Sequence, residues 1–74
     1  MSSIDHLVAM ANDIANYFGA EPDRTAAAAG VENHLRRFWE PRMRQKIVAH
    51  LVAGGAGMSD LAREGVSRLA QRVA

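Results

Sequence analysis

The sequence predicts an all-α fold, a small bundle of three to four short helices, on three observations. Apolar residues recur at three-and-four spacing along most of the chain, and no segment alternates with the period of two expected of a half-buried strand. The breaks between these stretches carry proline and glycine signals. With 74 residues, the chain reads as a single helical domain, 1–74.

The first helix is expected over residues 3–18, where Ile4, Leu7, Val8, Ala11, Ile14, Ala15 and Phe18 share one face. Ser2 or Ser3 can cap its first turn, Asp5 suits the positive end of the dipole, and Gly19 can end it in the left-handed conformation. Glu21-Pro22-Asp23 then supplies a turn and a start for a second helix over about 23–38. In that helix the run Ala26 to Ala29 followed by Gly30 permits close approach of another helix, and Val31, Leu35 and Phe38 continue the apolar stripe. Trp39-Glu40-Pro41 interrupts it, because the residue before a proline is pushed away from helical dihedrals. Pro41 is itself a good first residue for a third helix, about 41–53, burying Met43, Ile47 and Leu51 with Val48 alongside. Gly54-Gly55-Ala56-Gly57 reads as a flexible hinge, and Ser59-Asp60 is a cap-and-acid start for a fourth helix, about 60–73. Its stripe is Ala62, Val66, Leu69, Ala70 and Val73, with Gly65 and Ser67 weakening it.

Composition narrows the function. A core of this size alone rarely supplies more than about 3–5 kcal/mol, and small natural proteins usually add disulfides, a metal or a partner. The chain has no cysteine, so disulfides, thiolate zinc sites, iron–sulfur ligation and thiol catalysis are all excluded. Association with another protein is the support that remains. There is no long apolar run of about 18 residues and no basic region ahead of one, which points to a cytoplasmic chain without a membrane segment. Nine basic against eight acidic residues give a net charge of +1, far from the footprint of a dedicated nucleic-acid binder.

Catalytic and cofactor motifs are missing. Asp5 and Asp13 lie eight apart without a nucleophile turn to serve, and His6, His34 and His50 fall on three different helices with no metal-ligand spacing. The glycine loop lacks the lysine of a phosphate loop and follows a helix instead of a strand. No catalytic, cofactor-binding or metal residue is therefore assigned.

The densest feature is His34-Leu35-Arg36-Arg37-Phe38-Trp39-Glu40-Pro41-Arg42-Met43-Arg44. Phe38 lies on the apolar stripe and reads as core. Trp39 is displaced from it by about 100° around a helix, which makes it a boundary residue, suited to anchoring an interface or to forming a half-buried lid over this domain's own core. Glu32 with Arg36, Glu40 with Arg44 and Glu64 with Arg68 are spaced as surface ion pairs. Arg37, Arg42 and Lys46 have no such neighbour, and Arg42 and Arg44 occupy a first helical turn where a cation typically costs about 0.3–1 kcal/mol. Arg36, Arg37, Trp39, Pro41, Arg42, Arg44 and Lys46 are accordingly the candidate partner-binding residues, pairing with carboxylates or a phosphate. A helix-turn-helix-like nucleic-acid module is the alternative these same cations allow; the low net charge speaks against it.

This junction block, with the opening Leu7-Val8-Ala9-Met10-Ala11-Asn12, Ile14 and Tyr17-Phe18 and a short last helix holding Leu61 and Leu69, resembles the delta subunit of soluble NAD-dependent formate dehydrogenases. The resemblance covers essentially the whole chain. It implies a non-catalytic accessory subunit of a cytoplasmic complex, supporting assembly or stability by docking on the large alpha subunit. The molybdenum or tungsten pterin, iron–sulfur clusters, FMN and NAD are then expected in partner subunits and no cofactor in this chain. Self-association of the isolated chain stays open.

Overall fold

A computed structural model describes the backbone of residues 3–73 and the side chains of residues 4–72. It contains four helices, α1 (Ser3–Phe18), α2 (Arg24–Phe38), α3 (Pro41–Val52) and α4 (Asp60–Val73), and no strand among the described residues. The fold is thus all-α. The cap expected from Ser2 lies outside the described residues, since Ser3 is already helical.

The helix ends follow from local chemistry. Asp23 is the N-cap of α2, not its first residue: its backbone is extended and its Oδ1 accepts hydrogen bonds from the amides of Thr25 and Ala26 at 3.0 and 3.4 Å. Pro41 opens α3 where its missing N–H has no intrahelical partner to lose. The Ser59 hydroxyl caps α4 by accepting from the Ala62 amide at 3.3 Å. Gly19 departs from expectation, because among the described residues positive φ is confined to Gly54, Gly55 and Gly57. Its amide still bonds the Ala15 carbonyl at 2.8 Å, and the turn closes through the Glu21 amide on Phe18 at 3.0 Å.

All four helices contribute to one core, in which Val31, Leu35, Ile47 and Val66 are the largest fully buried side chains. Ala11, Ala15, Ala27, Ala28 and Ala62 are buried beside them and let the helix axes approach closely. The most extensive packing is between α2 and α4. A Cβ at position 65 would lie 2.3 Å from Val31 Cγ1, well inside van der Waals contact, so Gly65 is the point where the two helices touch.

The same seam reorganises the expected ion pairs. Glu32 is only 5% exposed, and three arginines converge on it: Arg36 at 3.9 Å, Arg68 at 3.5 Å, and Arg72. Its Oε2 has Arg36 and Arg72 as charge partners but no well-directed hydrogen bond. Glu64 pairs with Arg24 across the seam at 3.0 Å instead of with Arg68, and Glu40–Arg44 does not form. Of three expected pairs only Glu32–Arg36 is present, because helix packing presents nearer partners than the same helix does.

The glycine loop is not a free hinge. Five successive carbonyls, Gly54 to Met58, each accept from a side chain. Arg63 donates to Gly54, Gly55 and Met58 at 3.0, 2.9 and 3.2 Å, Asn12 Nδ2 to Gly57 at 2.9 Å, and His50 Nε2 to Ala56 at 2.8 Å. Asn12 Oδ1 also accepts from the Ser59 amide at 2.9 Å, tying α1 to the start of α4. Glycine suits these positions because φ values of 125°, 64° and 83° are ones that L side chains rarely adopt.

Candidate partner-docking surface

The junction between α2 and α3 inverts the expected roles of its two aromatics. Trp39 is buried at 5% exposure, whereas Phe38 is 68% exposed. The buried positions of α2 run Ala27, Ala28, Val31, Glu32 and Leu35, and the next step from Leu35 is four residues, to Trp39. Trp39 is also the C-cap, with φ −89° and ψ 142°, so the chain has left the helix and the 100° rotation no longer separates it from the core. The corrected assignment makes Trp39 part of the core that fixes the junction, unavailable as an exposed anchor.

Arg44 has a similar internal task. Its Nη1 donates to the carbonyls of Arg36 at 2.6 Å and Trp39 at 3.0 Å, at the open C-terminal end of α2. A cation that is unfavourable in the first turn of α3 is favourable at the last carbonyls of α2, and that offsets the local penalty. Arg36, besides reaching Glu32, donates to Asn33 Oδ1 at 3.0 Å. Pro41 is exposed and sets the start of α3.

What remains on the outside is different. Arg37 lies over the Phe38 ring, its Cζ 5.7 Å from the centroid, within cation–π range. Phe38 is 4.8 Å from the His34 ring, His34 is 6.3 Å from Phe18, and Phe18 meets the 78%-exposed Tyr17 edge-on at 5.1 Å. Gly30 makes room for this stack, since a Cβ there would come within 2.4 Å of the Phe18 ring. Asp13, Ile14, Tyr17, Phe18 and His34 line a shallow depression between α1 and α2. A second depression, between α1 and α3, holds Arg42 and Lys46 with His6, Met10 and Met43.

The structure therefore separates the seven residues singled out from sequence. Arg37, Arg42 and Lys46 form no ion pair among the described residues, while Arg36, Trp39 and Arg44 act within the fold. The exposed aromatics Tyr17 and Phe38 were missed. A signal existed for Phe38, in the four-residue step from Leu35 to Trp39. His34 belongs to the aromatic stack and His50 to the glycine loop, and no group of three His, Asp or Glu side chains among the described residues could hold a metal ion.

Fold and surface together define a small four-helix chain, most of whose charged groups stabilise its own architecture and which presents a half-exposed aromatic seam. The sequence matches the family model of the NADH-dependent formate dehydrogenase delta subunit, FdsD, over residues 6–66, and the chain belongs to that family. The family name implies association with formate dehydrogenase subunits. No curated protein and no solved structure matches the chain.

Proposed function

We propose that this chain is a non-catalytic accessory subunit of a cytoplasmic NAD-dependent formate dehydrogenase, docking on the large alpha subunit and supporting assembly or stability of the complex. The family match over residues 6–66 carries this reading. The internal use of its polar groups supports it, since Glu32, Arg44, Arg63, Asn12 and His50 all hold helices or loops in place.

Iron–sulfur clusters require thiolates and the chain has no cysteine. The pterin metal, the clusters, FMN and NAD belong to the partner subunits in this proposal. Deleting the chain from its own cells and isolating the tagged large subunit tests the role. The expected outcome is a lower yield of intact complex, restored by supplying the chain in trans. Unchanged yield, stability and formate oxidation would overturn it.

A further inference from the structure

We infer that the aromatic seam of α1 and α2, with its cationic end at the α2–α3 junction, is a docking groove for an acidic, apolar-faced segment of a partner protein. The inference rests on the docking role proposed above and specifies where and with what chemistry docking occurs. Three observations converge on it.

The first is the distribution of cations. Of nine Lys and Arg residues, six are engaged inside the chain. Arg24 pairs with Glu64; Arg36, Arg68 and Arg72 pair with Glu32; Arg44 and Arg63 bind backbone carbonyls. The other three, Arg37, Arg42 and Lys46, have no ion pair among the described residues; Arg37 lies on the aromatic seam, and Arg42 and Lys46 line the α1–α3 depression.

The second is continuity. Met10 lines the α1–α3 depression and Ile14 the α1–α2 depression, and four residues place them on successive turns of α1. The two hollows therefore adjoin along one helix, flanked by Tyr17 at one end and Met43 at the other. Large exposed aromatics beside half-buried aliphatics are the composition of an interface centre. Elsewhere among the described residues the one other large, strongly exposed apolar side chain is Val52.

The third is polarity along the groove. Asp13 borders the Tyr17 end, whereas Arg37, Arg42 and Lys46 outweigh Glu40 at the Phe38–Met43 end. A partner segment with carboxylates at one end is thereby oriented as well as attracted. A second copy of this chain is disfavoured in a two-fold pairing centred on Phe38, which would set Arg37 beside its own duplicate.

The test uses the full chain and a formate dehydrogenase preparation from cells lacking it. Wild-type chain, Tyr17→Ala with Phe38→Ala, Arg37→Glu with Arg42→Glu and Lys46→Glu, and the exposed control Val52→Ala are titrated onto that preparation, each checked for an unchanged melting curve. The aromatic pair should weaken binding by about 30-fold or more, the size of a central hot spot. The charge reversals should weaken it most at low salt, and Val52→Ala should leave it unchanged. A photo-crosslinking side chain at position 38 should label a partner segment containing carboxylates. Folded variants with wild-type affinity, or crosslinks to a segment without acidic residues, would overturn the groove while leaving the docking role intact. A wild-type chain that binds no formate dehydrogenase subunit overturns the docking role itself. An isolated chain that sediments as a dimer and becomes monomeric on Phe38→Ala overturns the groove in favour of self-pairing.

Discussion

The seam between α2 and α4 and the groove between α1 and α2 use the same few residue types with opposite results. In the inner seam, glycine at 65 removes a side chain so that Val31 can press against backbone, and Arg36, Arg68 and Arg72 surround a buried carboxylate. In the outer groove, glycine at 30 removes a side chain so that an aromatic ring can lie across the helix, and Arg37 lies over a ring and pairs with no carboxylate among the described residues. One set of contacts is closed and the other is left incomplete. In the docking groove proposed above, the incomplete set is the face that a partner would complete.

Breaking the contrast starts with its most buried member. Trp39→Ala should cost about 3–5 kcal/mol, comparable with the whole stability expected at this size, and should abolish the cooperative thermal transition in circular dichroism. A clear transition near the wild-type temperature would put Trp39 back at the surface. Gly65→Ala comes next. Alanine favours the helix by about 1 kcal/mol, but overpacking against the fully buried Val31 costs about 1–3 kcal/mol, and net destabilisation is expected. Adding Val31→Ala should recover part of the Gly65→Ala loss if the clash is the cause, which a double-mutant cycle in urea measures.

Glu32→Gln should have a smaller effect, about 1–2 kcal/mol, because its arginine partners are partly exposed and screened by solvent. The loss should shrink as salt rises, since part of it is repulsion among the arginines left behind. Equal loss at low and high salt would make the cluster a matter of packing instead. Phe38→Ala sits at the bottom of the scale. It should change the unfolding free energy measured in urea by no more than about 0.5 kcal/mol, and a loss of several kcal/mol would show that the groove belongs to the core.

Much of the helical layout was legible because helix signals are local. The stripe from Ile4 to Phe18, the cap at Asp23, proline at 41 and the serine cap at 59 each act within a turn or two of their own position. The site was legible only in outline. Arg37, Arg42 and Lys46 stand out because they lack acidic neighbours at helical spacing, and they form no ion pair among the described residues. Phe38 and Trp39 exchange roles because the buried face of α2 steps by four from Leu35 to Trp39, which leaves Phe38 one position off it.

Sequence alone thus determined the all-α class, the breaks between helices and the absence of thiol chemistry, all of which depend on residue type and short-range spacing. Tertiary structure decided the rest: that Gly65 is a contact point and not a weakness, that Arg44 closes the end of α2, that the glycine loop is held by Arg63, Asn12 and His50, and that Phe38 faces outward. Each of these depends on a partner far along the chain or on which way a helix end turns. Such partners, at separations of up to 47 residues for Asn12 and Ser59, are set by packing the helices together and leave no periodic trace along the chain.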